Sequence, residues 1–356
     1  MSLPNHGANP AHLTSALGLT YDQQALDFSV NTNPFGMAPG IKLLSEKFIE
    51  SASNYPEPYA ETLTKTVAVE LGVNKTEVLV GNGAAELLFH IAHLYQGKKV
   101  LIPEPTFSEY RQACEANGCD IESLVLDEPW KLRTDHLESR LEEIDLLFIC
   151  SPNNPTGVTY TKNEMNDLLT LAKEQRTKVV IDEAFFDFQV DEKSVLAEVD
   201  LNNVIIIRSM TKMYGIAGVR LGYVIADQTT IEQLKRFQPP WSVNGFAQKI
   251  GLTLLDEKQF VKDTAMKVAK ERIRVKRELE QLDFCVFPSV VNFYLLSEKN
   301  KRDLQPLLRF LIQHSIIPRH TYSFIGLDGK YLRLSIKRRE ENEQLIHVLK
   351  KWRLLC

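Results

Sequence analysis

The segment Arg208-Ser-Met-Thr-Lys212 sets an amine just past an apolar run. Ser209, Thr211 and, further on, Arg220 offer hydroxyls and a guanidinium to an anion nearby. Thirty residues before Lys212, Asp182 ends another apolar run. A carboxylate at that depth needs a cationic partner, because an unpaired buried charge is very costly; capping a helix is the plainer role for it. Ser151-Pro-Asn-Asn-Pro-Thr-Gly157 follows a third such run. An ordinary turn explains its prolines and glycine, but not two adjacent amides at a strand end, where open α/β sheets bind ligands. Gly81-Asn-Gly83-Ala84-Ala85-Glu86 lies between a strand and a helix, where free backbone N–H groups hold phosphate; taken alone it also reads as a tight turn. Phe107, after Pro103-Glu-Pro-Thr, either packs in the core or lies flat against a planar ligand.

These parts together meet the needs of pyridoxal 5′-phosphate (PLP). That cofactor takes a lysine amine as a Schiff base, here Lys212, and a carboxylate that keeps its pyridine nitrogen protonated, here Asp182. Its phosphate dianion suits the N–H groups of Gly83, Ala84 and Ala85, with Ser209, Thr211 and Arg220 beside them. No one of these segments is decisive; their joint order is. His90 and His93, three apart on a helix, lack a third ligand and read as structural, so no metal is expected.

The elements that must position these residues follow from the apolar runs Val78–Val80, Val100–Ile102, Leu146–Cys150, Val179–Ile181, Val204–Ile207 and Leu221–Ala226. Runs apolar on both faces suit strands of a largely parallel sheet covered by helices on each side. Ala84–Tyr95 has helical period, and Thr161 with Glu164 forms a capping box ahead of Leu168, Leu169, Leu171 and Ala172. Alternating strands and helices predict an α/β, doubly wound large domain over residues 34–244. From residue 245 to 356 the pattern changes: a long charged helix near Phe260–Leu282, strands at Asn292–Leu296 and Tyr331–Ile336, and a last helix ending near Trp352 predict a smaller α+β domain. Residues 1–33 have no strong period, end at the Asn33-Pro-Phe-Gly36 turn, and read as an arm joining the small domain.

Composition agrees with a small-molecule enzyme. Net charge is −4, so no excess of positive charge points to nucleic acid or to an acidic membrane. No apolar run approaches the length of a membrane span. The five cysteines (Cys114, Cys119, Cys150, Cys285 and Cys356) are odd in number and have no C-x-x-C spacing, which suits a reducing cytoplasm.

The series GNGAAE, PEPTF, SPNNPTG, VIDEAFFDF, RSMTK and GVRLGY resembles the fold type I PLP enzymes. Within them it is similar to the aminotransferase class I/II branch that includes histidinol-phosphate aminotransferase. The resemblance implies a fold type I architecture, Lys212 as the Schiff-base lysine, Asp182 on the pyridine nitrogen, Asn154 as donor to the cofactor's phenolic oxygen and Phe107 as the stacking ring. Phe185 stands where many aminotransferases carry a tyrosine that also reaches that oxygen. Tyr55, in Asn-Tyr-Pro-Glu-Pro-Tyr, matches a tyrosine that reaches the phosphate from the other subunit, which implies a homodimer with shared sites.

The N-terminal Asn5-His6-Gly7-Ala8-Asn9, the Asp27–Gly36 stretch and Pro240-Trp-Ser-Val-Asn244 resemble the threonine-phosphate decarboxylase family of cobalamin biosynthesis, although that family's second glycine is Ala8 here. That likeness implies decarboxylation of L-threonine O-3-phosphate, with His6, Asn33, Asn154, Arg319 and Arg333 on the substrate. The alternative it leaves open is a histidinol-phosphate (or related amino acid) aminotransferase. A ligand-sensing protein without catalysis would not need the complete set of Lys212, Asp182, Asn154 and Arg220, and such proteins often carry a basic DNA-binding extension; this chain has the set and lacks the extension.

Overall fold

The computed structural model describes residues 3–44, 51–191, 194–300 and 302–355, so Cys356 lies outside the described residues. The arm holds α1 (Pro10–Ala16) and β1 (Leu26–Asp27). Asn9 caps α1 by accepting the His12 N–H at 3.1 Å. Then come α2 (Glu61–Leu71), β2 (Val78–Gly81), α3 (Ala84–Leu94), β3 (Lys99–Glu104), α4 (Glu109–Ala116), β4 (Asp120–Val125), β5 (Leu146–Cys150), α5 (Lys162–Glu174), β6 (Lys178–Asp182), β7 (Val204–Ser209) and β8 (Gly222–Ile225). The strands form one sheet in the order β2-β8-β7-β6-β5-β3-β4. All neighbours are parallel except β8, which runs against both β2 and β7.

The continuous apolar runs are strands because each face has its own core. Leu147, Ile149, Val179, Ile181, Val204 and Ile206 point into one. Their alternates Leu146, Phe148, Val180, Ile205 and Ile207 point into the other, beneath α3 and α4. Helix α5 starts at the expected capping box, with the Glu164 N–H donating to Thr161 Oγ1 at 3.3 Å and the Thr161 N–H to Glu164 Oε2 at 2.7 Å. The α/β class with a mostly parallel sheet is as read from the sequence. Strand β4 was not anticipated. It is the sheet's edge and is only partly buried, so it lacks the doubly apolar signature.

The chain continues through α6 (Gln228–Lys235), α7 (Gly245–Leu254), α8 (Lys258–Glu280), β9 (Phe284–Val286), β10 (Phe293–Glu298), α9 (Gln305–Gln313), β11 (Ile316–Ile317), β12 (Arg319–His320), β13 (Leu332–Ser335) and α10 (Arg339–Leu355). A second, antiparallel sheet has the order β12-β13-β10-β9. The arm is fastened to this C-terminal body: β1 pairs in parallel with β11, Leu26 opposite Ile316. Leu13, Leu17 and Phe28 of the arm join Val275, Phe293 and Leu334 in one apolar core. Phe185, Phe188 and Met213, from loops beyond β6 and β7, enter the same core and tie the two sheets together. No helix among the described residues is long and apolar enough to cross a membrane.

Candidate active site

The parallel strands β5, β6 and β7 deliver their C-terminal ends to one edge of the large sheet, and the arm and the second sheet close over that edge. A cavity of about 320 Å³ lies at the seam. His6, Ala84, Ala85, Phe107, Asn154, Asp182, Phe185, Ser209, Thr211, Lys212, Arg220, Arg319 and Arg333 all line it, so residues far apart in sequence meet there.

At one end the cavity is built for an anion. Helix α3 begins at Gly83 (φ 81°) with no side chain capping its first N–H groups. A Cβ on Gly83 would fall 2.8 Å from an Arg220 guanidinium nitrogen, and one on Gly222 would fall 2.8 Å from the Ala84 nitrogen. Glycine at both places lets the guanidinium and the helix amides approach each other. Register puts Gly81 and Ser209 on either side of Gly222. Ser209 Oγ and Thr211 Oγ1 lie 2.8 Å apart beside them. Arg220 holds a left-handed backbone, φ 61°, a conformation that costs a non-glycine residue about 1 kcal/mol or more.

In the middle stand Asp182 and Lys212. Asp182 is buried and accepts the Tyr110 O–H on Oδ2 at 2.7 Å and the Ala184 N–H on Oδ1 at 2.8 Å. Burial pushes its carboxyl above the ordinary value, and the two donors pull it part of the way back. Burial lowers the Lys212 amine to about 8, helped by the positive charges of Arg333 and Arg220. Phe107 packs edge-on to Tyr110, ring centroids 5.7 Å apart, and Phe185 packs edge-on to Phe293 at 4.9 Å.

The far wall is basic. Arg333 on β13 is buried; it donates to Asn154 Oδ1 at 2.5 Å and to the Ser29 carbonyl at 2.7 Å, while its Nε has no partner among the described residues. Arg319 on β12 donates to the arm carbonyls of Pro4 and Asn5 and to Ser323 Oγ. Burial lowers the affinity of both guanidiniums for their protons. Such donors are under-solvated where they stand, which favours an incoming anion.

Two expected residues lie elsewhere. Asn33 does not line the cavity: its Nδ2 donates to the Met213 carbonyl at 2.6 Å and its Oδ1 accepts the Phe35 N–H at 2.8 Å, closing the turn. Asn31, two residues earlier, takes the lining position. Tyr55 is 86% exposed, outside this chain's cavity, with its ring 5.2 Å from that of Trp241. Three contributors escaped the sequence reading. Tyr110 and Glu109 sit in the first turn of α4, in a segment with no chemical signature of its own, and Ser29 lies on the arm within the Asp27–Gly36 stretch.

A doubly wound large sheet, a smaller antiparallel sheet and a lysine, an aspartate and an anion cradle between them define a fold type I PLP enzyme. The cavity fits that cofactor on its own geometry, because the cradle at Gly83 and Gly222 would be filled by any Cβ. Residues 23–349 match the family model for aminotransferase class I and II, and the chain belongs to that family. Its cofactor is pyridoxal 5′-phosphate. The chain is 32% identical over 351 residues to a threonine-phosphate decarboxylase of Salmonella typhimurium, covering 97% of this chain and 95% of that one. Among solved structures it is similar to a histidinol-phosphate aminotransferase from Clostridium acetobutylicum, with TM-score 0.87 and 29% identity over 93% of this chain and 100% of that one. It is also similar to an L-threonine-O-3-phosphate decarboxylase from Porphyromonas gingivalis, with TM-score 0.81 and 26% identity over 92% and 99%.

Proposed function

We propose that this enzyme decarboxylates L-threonine O-3-phosphate, releasing CO₂ and (R)-1-amino-2-propanol O-2-phosphate, a step of cobalamin biosynthesis. The observation that carries the reading is the basic far wall, where Arg319, Arg333 and His6 of the arm face the cavity together. A substrate with both a carboxylate and a phosphate suits that concentration of donors. The Salmonella relative's name supports the same choice.

In this reading Lys212 carries PLP covalently, Asp182 pairs with its pyridine N–H, Phe107 lies on its ring and Asn154 donates to its phenolic oxygen. The phosphate rests on Ala84, Ala85, Ser209, Thr211 and Arg220. The cofactor supplies an electron sink for whichever Cα bond lies perpendicular to its ring. The chain makes that choice: the arginines and His6 hold the substrate's anions so that the carboxylate bond is the one so placed. Once the substrate's own amine has displaced it from the cofactor, the freed Lys212 Nζ would be the acid that gives a proton to Cα. Phe185 presents no hydroxyl, which alters the cofactor's surroundings without selecting a reaction. Tyr55, exposed on this chain, serves the neighbouring subunit of a cytoplasmic homodimer.

The likeness to the Clostridium enzyme favours a second reading, transfer of the amino group of histidinol phosphate. Product analysis separates them. CO₂ from L-threonine phosphate without a 2-oxo acid supports the decarboxylase. Glutamate formed from histidinol phosphate and 2-oxoglutarate, with no CO₂, replaces it with the aminotransferase.

A further inference from the structure

Besides Asp182, Glu109 is the acidic side chain that lines the cavity among the described residues, and the roles above leave it unused. Its place is built. It occupies the first turn of α4, and only 17% of its side chain is exposed. Its Oε1 lies 3.0 Å from His6 Nδ1, and its Oε2 accepts the Ser108 hydroxyl at 3.2 Å. The backbone that carries His6 is fixed on both sides, by the carbonyls of Pro4 and Asn5 on Arg319 and by the Ala8 N–H on Ser29 Oγ at 3.3 Å. The second imidazole nitrogen, Nε2, has no hydrogen-bond partner among the described residues. A carboxylate on the wall of an anion site opposes anion binding if it acts alone. Bonded to one nitrogen of an imidazole, it does the reverse: it fixes which nitrogen carries the proton, orients the ring and favours the imidazolium.

We propose that Glu109 is a positioning residue for substrate recognition: by accepting the Nδ1–H of His6 in a charge-assisted bond it holds the imidazole with Nε2 turned toward the substrate's phosphate. The inference rests on the phosphorylated substrate proposed above. It is independent of which reaction follows. The other charged groups facing the pair are Lys212, Arg319 and Arg333, which favour the carboxylate form of Glu109, and Asp182, which opposes it. Burial holds the Glu109 carboxyl above its ordinary value, and His6 pulls it part of the way back.

The test is titration of the PLP-loaded enzyme with inorganic phosphate by calorimetry, for the wild type, Glu109→Gln, His6→Ala and the double variant. Glutamine keeps an acceptor for Nδ1–H and removes the charge. At pH 8, Glu109→Gln should weaken phosphate binding about tenfold, in the range of losing a partner that orients a ligand-binding histidine. The double variant should bind no more weakly than His6→Ala. Glu109→Ala, which keeps neither the charge nor an acceptor, should weaken binding at least as much as Glu109→Gln. A merely structural role would weaken binding equally with the His6 imidazole absent, so the comparison of the double variant with His6→Ala separates the two. Equal or tighter binding by Glu109→Gln would make Glu109 a repulsive charge and overturn the proposal. Losses that add in the double variant, or a His6→Ala protein that binds phosphate like the wild type, would overturn it too. If the variants behave as expected but no CO₂ is formed from L-threonine phosphate, the decarboxylase reading fails and this one stands.

Discussion

Tyr110→Phe removes one oxygen from the centre of the site and nothing else. The tyrosine is fully buried, its ring stacked on Phe148 with centroids 4.8 Å apart and planes 11° from parallel, so phenylalanine fits the same space. What is lost is the O–H donated to Asp182 Oδ2 at 2.7 Å, while the Ala184 N–H on Oδ1 is kept. A hydrogen bond to a charged group contributes about 1.5–3 kcal/mol. Asp182 is already pushed toward its neutral form by burial, so losing the donor pushes it further the same way. If all of that energy is expressed in the transition state, turnover falls about 10- to 100-fold at pH 7, at roughly 1.4 kcal/mol per tenfold. The bound cofactor's absorbance should shift as its ring nitrogen loses charge. Initial rates and spectra of the PLP-loaded variant, with circular dichroism to confirm folding, make the measurement. A folded, loaded Tyr110→Phe enzyme within twofold of wild type, with an unshifted spectrum, would refute the reasoning.

In the cofactor-free protein, Lys212→Met should stabilise the fold at pH 7 by about 1–2 kcal/mol, because it removes an amine held at about 8 in a half-buried place. The unfolded chain binds more protons than the folded one between about 8 and 10.5, so wild-type stability rises through that window and the gap in melting temperature should close by pH 10. Arg333→Lys loses the fork that reaches Asn154 and Ser29 together, and should raise KM for a phosphorylated substrate about 10- to 100-fold with PLP content unchanged, as steady-state rates and cofactor absorbance will show. Ala8 has φ 61°, so Ala8→Gly should be neutral or up to about 1 kcal/mol more stable, whereas Ala8→Val should lose about 1–2 kcal/mol in thermal unfolding.

What was legible in the sequence is what the sheet's burial writes there. Strands β5, β6 and β7 are apolar on both faces because both faces are covered, and a polar residue just past such a run, Asp182 or Asn154, stands out for that reason. The same logic hid β4, an edge with one open side. It hid Tyr110 as well, because a tyrosine on an amphipathic helix looks like any other core ring until Asp182 is placed beside it. Asn33, expected on the substrate, is instead spent on a turn: its Oδ1 accepts the Phe35 N–H and its carbonyl the Gly36 N–H, and Asn31 of the same Asn-Thr-Asn stretch lines the cavity. Glu109 was invisible because its meaning comes from His6, which is distant in sequence.

Strand β8 runs backwards, and the site depends on that. Neighbouring parallel strands need a crossover of a dozen or more residues, which would carry the chain to the opposite rim before the next strand began. Because β8 is reversed, it enters the sheet where β7 leaves it, Gly222 beside Ser209. The link between them never departs from the rim, and it carries Lys212 and Arg220 along it. Amine and guanidinium are therefore written into one continuous peptide and are placed by a single reversal of direction. An insertion in that link would move both at once relative to Asp182, whereas the loops after β5 and β6 can vary one contact at a time.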